Sequence, residues 1–134
     1  MAKILLVEDD QPTRDATRRM LYKLGFKAAE AANGRDALQW LDYNGPPALI
    51  LLDLMMPEMD GFAFLDAIRE RRALRAVPVV VLTAKDLNAE EKRMLTGRTA
   101  QVLAKGETSN HDLGEAIRRC IAPPPVDAEH QPVA

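Results

Sequence analysis

Short aliphatic runs recur along this chain, and each gives way to a polar or glycine-bearing turn and then to a helical pattern. Lys3 to Val7, Ala48 to Leu52 and Val77 to Leu82 are the clearest of them. Runs that are apolar at consecutive positions suit strands buried on both faces, and such strands belong to parallel sheets with helices on either side. A weaker, alanine-rich run from Lys27 to Ala31 and a short one from Gln101 to Ala104 bring the expected strands to five. Thr13, Ala16, Thr17, Met20, Leu21 and Leu24 form one helical stripe, with Pro12 near its start and Gly25 at its end. Asn33-Gly34 opens a second helix, which carries Ala37, Leu38 and Leu41 as far as Gly45-Pro46-Pro47. A third helix is expected from near Gly61, burying Phe64, Leu65 and Ile68. A fourth, around Asn88 to Gly97, has a thin apolar stripe and is expected to be the least firmly packed. Leu113, Ala116, Ile117, Cys120 and Ile121 mark the last. The alternation predicts an α/β fold, a doubly wound five-stranded parallel sheet with right-handed crossovers.

A chain of 134 residues is long enough for one domain with a sizeable core. That domain is expected over residues 1–121. Residues 122–134, opened by Ala122-Pro123-Pro124-Pro125, read as a disordered, proline-rich tail or a linker. Cys120 is the single cysteine and has no intramolecular partner, which suits a reducing cytoplasm. Met1-Ala2-Lys3-Ile4 does not resemble a signal peptide, and no apolar run nears the roughly 20 residues of a membrane helix. A formal charge of -2 with dispersed Lys and Arg offers no basic field to nucleic acid. A cytoplasmic protein without direct membrane or nucleic-acid contact is therefore expected.

Leu51-Leu52-Asp53 ends an apolar strand pattern in a carboxylate, and a turn follows at once. Ligands of open parallel sheets gather beyond the carboxyl ends of the strands, so this acid is offered to chemistry. A plainer role for Asp53 is to cap the turn. If the first, third, fourth and fifth strands are neighbours, their ends bring Glu8, Asp9, Asp53, Thr83 and Lys105 to one crevice. Three carboxylates so close raise one another's pKa unless a cation joins them. Magnesium, which favours about six oxygens, suits a site without His or Cys. Asp10 is expected to cap the first helix. Lys105 is suited to bind a phosphoryl oxygen, or to pair with Asp53 in its absence, and the Thr83 hydroxyl is suited to donate to the same group. A nucleophilic carboxylate, a cation, a hydroxyl and a lysine together suit phosphoryl transfer, with Asp53 as the nucleophile.

These residues closely resemble the receiver domain of two-component response regulators. The resemblance covers Lys3 to Ile121 and rests on Ile4-Leu5-Leu6-Val7-Glu8-Asp9-Asp10, on Asp53-Leu54-Met55-Met56-Pro57-Glu58-Met59-Asp60-Gly61, on Val81-Leu82-Thr83-Ala84 and on Lys105. It implies a flavodoxin-like fold with strand order 2-1-3-4-5. It also implies magnesium held by Glu8, Asp9, Asp53 and the backbone carbonyl of Met55, with Thr83 and Lys105 reading the phosphoryl oxygens. Asp53 would accept phosphate from a histidine kinase or histidine phosphotransfer protein, and partner binding would change through the face of the fourth helix, fifth strand and fifth helix. Such a domain promotes its own phosphorylation and dephosphorylation without being a turnover enzyme. It is expected as a monomer or a weak, phosphorylation-dependent dimer.

Two positions depart from the family. Gly106 follows Lys105 where proline with a cis bond is usual, which points to a looser loop or a trans bond. Val102 stands at the switch position, where an aromatic ring is usual. Both resemble receivers attached to hybrid sensor kinases, which pass phosphate onward to a histidine phosphotransfer protein. A non-phosphorylated pseudo-receiver is the binding-module alternative. A phosphatase would want a second acid where Met55 stands, and a flavin module would want a phosphate-cradling loop where Glu8-Asp9-Asp10 stands. His111 and His130 are expected to take no part.

Overall fold

Alternate residues of a strand face opposite sides of the sheet, and here both sides are apolar. The computed structural model describes residues 2–57 and 59–121. The strands β1 (Lys3–Val7), β2 (Lys27–Ala31), β3 (Leu49–Leu52), β4 (Val79–Thr83) and β5 (Gln101–Ala104) form one parallel sheet in the order β2-β1-β3-β4-β5. Leu5, Val7, Ile50, Leu52, Val79 and Val81 join one core cluster, and Ile4, Leu6, Leu49, Leu51 and Val80 join the other. This two-sided burial explains why the strands read as unbroken aliphatic runs. The expected flavodoxin-like fold is the one observed.

Helices α1 (Gln11–Lys23), α2 (Gly34–Asn44), α3 (Gly61–Arg69), α4 (Ala89–Leu95) and α5 (Asn110–Cys120) follow the strands in turn, with a 3-10 turn at Arg72–Leu74. Ala37, Leu38, Leu41, Phe64, Leu65 and Ile68 from α2 and α3 cover the first face, while Leu21, Leu113 and Ile117 from α1 and α5 cover the second. A fully buried side chain of this kind contributes about 1.5–3 kcal/mol, so each helix is held mainly by its apolar stripe. In α4 only Leu95 is buried, in keeping with the thin stripe expected there. The α1 stripe is shorter than its periodicity suggests. Leu21 is buried and Met20 packs partly against the core, but Ala16 is exposed, because it overhangs a groove beside the β5–α5 loop. Strand ends also shift slightly: Pro78, without an N–H, lies outside β4 and offers only its carbonyl, which accepts from Ile50 N–H at 3.0 Å. Residues 122–134, with the expected tail and His130, lie outside the described residues.

Gly61 ties the start of α3 to the end of β3. Its N–H donates to the Leu54 carbonyl at 3.1 Å, and an added Cβ would meet Leu54 Cδ2 at 2.6 Å and Leu54 Cα at 2.7 Å. The Leu54 side chain can turn away, but its Cα cannot. Gly61→Ala should therefore cost roughly 1–3 kcal/mol in urea unfolding. Gly97→Ala, where a Cβ meets nothing within 4 Å, should change stability by less than about 0.5 kcal/mol. Equal losses at the two glycines would contradict the close approach at Leu54.

Candidate functional site

Three side chains at the heart of the crevice belong to the residues that immediately follow a strand. Each is still tied by its backbone to the neighbouring strand: Glu8 N–H donates to Ala31 O (3.0 Å), Asp53 N–H to Val7 O (3.1 Å) and Lys105 N–H to Thr83 O (2.9 Å). They continue the alternation of the second face, Ile4-Leu6-Glu8, Leu49-Leu51-Asp53 and Leu103-Lys105. Sheet periodicity thus aims two acids and a lysine to the same side, at the level where the strands end.

Lys105 bridges the acids. Its Nζ lies 2.6 Å from Glu8 Oε1 and 3.1 Å from Asp53 Oδ2. The pairing with Asp53 is the one expected, and the bond to Glu8 is additional. Glu8 and Asp53 are buried, at 4% and 6% exposure, so a carboxylate there has little water to stabilise it. Burial pushes the Glu8 carboxyl above its ordinary pKa, against the pull of Lys105 and of the Asp10 N–H, which donates to Glu8 Oε2 at 3.2 Å. Burial opposes the charge on Lys105, but its bonds to Glu8 and Asp53 outweigh this and raise its pKa. Oxygens of Glu8, Asp9 and Asp53 all lie within 4.8 Å of one another, with Asp9 exposed. Three hard carboxylate donors without sulfur or imidazole form a set suited to a hard divalent cation.

The remaining residues frame this trio. Met55 turns its side chain to solvent, while its N–H donates to Asp53 Oδ1 at 3.2 Å. Thr83 closes β4, is buried, and its hydroxyl accepts from Lys85 N–H at 3.2 Å. Asp10 caps α1 as expected, accepting from Thr13 N–H at 3.0 Å, and the Thr13 bonds lower its pKa. The described residues contain no cis peptide bond, and Gly106 takes φ +85°, a left-handed conformation that glycine accepts without strain. Val102 faces solvent on β5, paired with Val81, and His111 lies in the first turn of α5. A second contact, beside the Lys105–Glu8 bond, was not anticipated from the sequence: Arg14 Nη1 donates to the Glu8 carbonyl at 2.7 Å while its Nε pairs with Glu30. The available signal was an arginine one turn into the helix that follows the acidic loop.

The model of the response regulator receiver domain family matches residues 4–118. The chain belongs to this family. This receiver domain is 32% identical to the transcriptional regulatory protein AfsQ1 of Streptomyces coelicolor over 129 residues, covering 84% of this chain and 56% of that protein. Chemotaxis protein CheY4 of Vibrio cholerae superposes with a TM-score of 0.81 at 28% identity, over 90% of this chain and 98% of that one. The receiver domain of sensor histidine kinase PA1611 from Pseudomonas aeruginosa superposes with a TM-score of 0.80 at 29% identity, over 90% and 97% of the two chains. In that structure a magnesium ion is coordinated in the active site cleft. The chain spans about half the length, or less, of the first curated regulators it matches. It is a receiver domain of two-component signalling, and among the described residues no helix is long and apolar enough to cross a membrane.

The buried bridge has a pH signature. Lys105→Met leaves two buried carboxylates without their cation, and should cost roughly 1–3 kcal/mol at pH 7. Glu8, whose folded pKa is raised, binds its proton more readily in the folded than in the unfolded chain. Without Lys105 to oppose burial the Glu8 pKa of the variant lies higher still, so the deficit is largest above the variant's pKa and shrinks as pH falls from there to the raised wild-type value, below which it is constant. Urea unfolding of both proteins at pH 7 and pH 5 reads this directly. A deficit of the same size at both pH values would assign the loss to packing of the lysine stem instead.

Proposed function

We propose that Asp53 accepts a phosphoryl group from the phosphohistidine of a kinase or phosphotransfer protein. Support comes from a buried carboxylate whose neighbours are two further acids and a lysine. Glu8, Asp9, Asp53 and the Met55 carbonyl would hold magnesium, which when bound supplies charge neutralisation and alignment of phosphoryl oxygens. In the transfer an Asp53 oxygen forms a bond to phosphorus as the phosphorus–nitrogen bond breaks, and the electron pair returns to the imidazole. Lys105 and the Thr83 hydroxyl contact the phosphoryl oxygens, and Lys105 offsets the charge that Asp53 gains. Attack of water later restores the carboxylate and releases inorganic phosphate. The group carried is transient, which suits a signal.

The reading extends to partners. A groove of about 200 Å³ beside Lys105, lined by Ala16, Met20, Leu82 and Leu113 among others, offers the donor protein a partly apolar seat. Output would run through α4, β5 and α5, where Met94 and Val102 are both 39% exposed. A cytoplasmic signalling domain that is not a turnover enzyme, without nucleic-acid contact of its own, fits these features.

Incubation with acetyl phosphate followed by intact-protein mass spectrometry tests the central step. Wild type should gain one phosphoryl group with magnesium present and none when the metal is chelated. Asp53→Asn should gain none while keeping its fold by circular dichroism. Lys105→Ala should still bind magnesium but lose the response to phosphorylation. A phosphoryl group found on the Asp53 variant would put the acceptor elsewhere and sink the assignment.

A further inference from the structure

Asp9 is the one member of the acidic trio whose carboxylate nothing holds. It is exposed, and among the described residues its side chain takes part in no hydrogen bond or ion pair, whereas Glu8 and Asp53 are both fixed by Lys105. Its direction therefore depends on the backbone that carries it. The peptide linking Glu8 to Asp9 is gripped at its carbonyl by Arg14 Nη1, at 2.7 Å. Arg14 is held in turn. Its Nε pairs with Glu30 Oε1 on β2 at 3.0 Å, its side chain is only 15% exposed, and Arg18 lies 3.0 Å from the other Glu30 oxygen. The Glu8 N–H is meanwhile bound to Ala31 O on the same strand. The acidic loop is thus fastened to β2 on both sides of Glu8, and one of the two fastenings passes through a planar guanidinium with two anchors.

We propose that Arg14, braced by Glu30, is a positioning residue that fixes the Glu8–Asp9 peptide and so pre-aims Asp9 at the divalent cation. This rests on the magnesium reading above. Outer groups that orient metal ligands typically account for a 10–100-fold difference in affinity. The sign of the effect separates positioning from plain electrostatics. Arg14 is a cation close to an acidic site, so removing its charge would by Coulomb's law alone strengthen magnesium binding. Loss of a positioning contact weakens it.

Calorimetric titration of magnesium into wild type, Arg14→Met and Arg14→Lys decides the question. Arg14→Met should bind about tenfold more weakly. Arg14→Lys should fall between, since an ammonium group reaches the carbonyl or Glu30 but does not grip both in one plane. Labelling by acetyl phosphate at saturating magnesium should stay near the wild-type rate, because no reacting atom is touched. In the metal-free proteins, backbone NMR order parameters at Asp9 and Asp10 should drop in Arg14→Met. Unchanged or tighter binding by Arg14→Met overturns the proposal, as does a labelling defect that saturating magnesium does not remove. Wild type that binds no magnesium overturns the reading beneath it, while wild type that binds and variants that match it overturn the clamp alone. Should Arg14→Met fail to fold, Glu30→Gln and Arg14→Lys carry the same comparison, with weaker magnesium binding expected in both.

Discussion

One ammonium group, Lys105 Nζ, lies against two buried carboxylates that come from strands far away in sequence. A buried carboxylate left without a partner costs several kilocalories per mole, so the crevice is tolerable only if the ends of β1, β3 and β5 arrive level with one another. The sheet meets that demand through register. Val7 pairs with Leu52, Leu52 with Val81, and Thr83 with Ala104, and the next residue of β1, β3 and β5 supplies the charged group. Because side chains alternate with a period of two, a slip of one residue in β1 would turn Glu8 to the opposite face and leave Lys105 with one acid. The aliphatic core and the charged crevice are thus set by the same ladder, and what stabilises the first aligns the second.

The same geometry puts two cations in competition. Lys105 satisfies Glu8 and Asp53 in the protein alone, and the proposed divalent ion would draw on the same oxygens together with Asp9. Binding of that ion would loosen the hold of the acids on Lys105 and leave the ammonium group available to an incoming phosphoryl oxygen. By linkage the effect is reciprocal: whatever takes up Lys105 makes Glu8 and Asp53 better ligands. Asp9 stands outside this exchange, since Lys105 bonds only to Glu8 and Asp53.

Strands were legible because double-sided burial leaves an unbroken aliphatic record, as in Leu49-Ile50-Leu51-Leu52, where all four residues are buried. Helix α3 was legible because Gly61 and the Phe64-Leu65-Ile68 stripe act locally. Periodicity gives the direction of a helical face but not how far the sheet reaches beneath it, and this is why Ala16 was expected in a buried stripe and lies exposed. Glu8, Asp53 and Lys105 stood out in the sequence because a charged group directly after an apolar strand is improbable, and the structure brings them together, whereas Thr83 suits a strand and drew attention only through its neighbours. Arg14 did not stand out. Its partner at the loop is a carbonyl oxygen, which every residue has, so no pairing of residue types marks the contact. The bond from Lys105 to Glu8 was missed for a related reason, since it depends on how far a flexible side chain reaches.

Val102 offers no aromatic ring to report the state of the crevice, yet the structure contains a bonded route from Thr83 to α4. The Thr83 hydroxyl accepts from Lys85 N–H at 3.2 Å, and Lys85 Nζ pairs with Glu91 Oε2 at 3.3 Å. Glu91 and Asn88 form the reciprocal cap of α4, with bonds of 2.8 and 3.1 Å. The Asn88 N–H and the Lys85 charge hold the Glu91 carboxyl below its ordinary pKa, so the cap carries its full charge at neutral pH. A seven-residue helix with one buried side chain has little intrinsic stability, and a cap contributing about 1 kcal/mol is a large share of it. In the proposed reaction the Thr83 hydroxyl donates to a phosphoryl oxygen, and only a displacement of that oxygen toward the phosphoryl group would lengthen the bond it accepts from the Lys85 N–H. Such a displacement would loosen the loop before α4 at one end while Glu91 holds it at the other. These main-chain and ionic contacts join the crevice to a marginal helix without an aromatic ring.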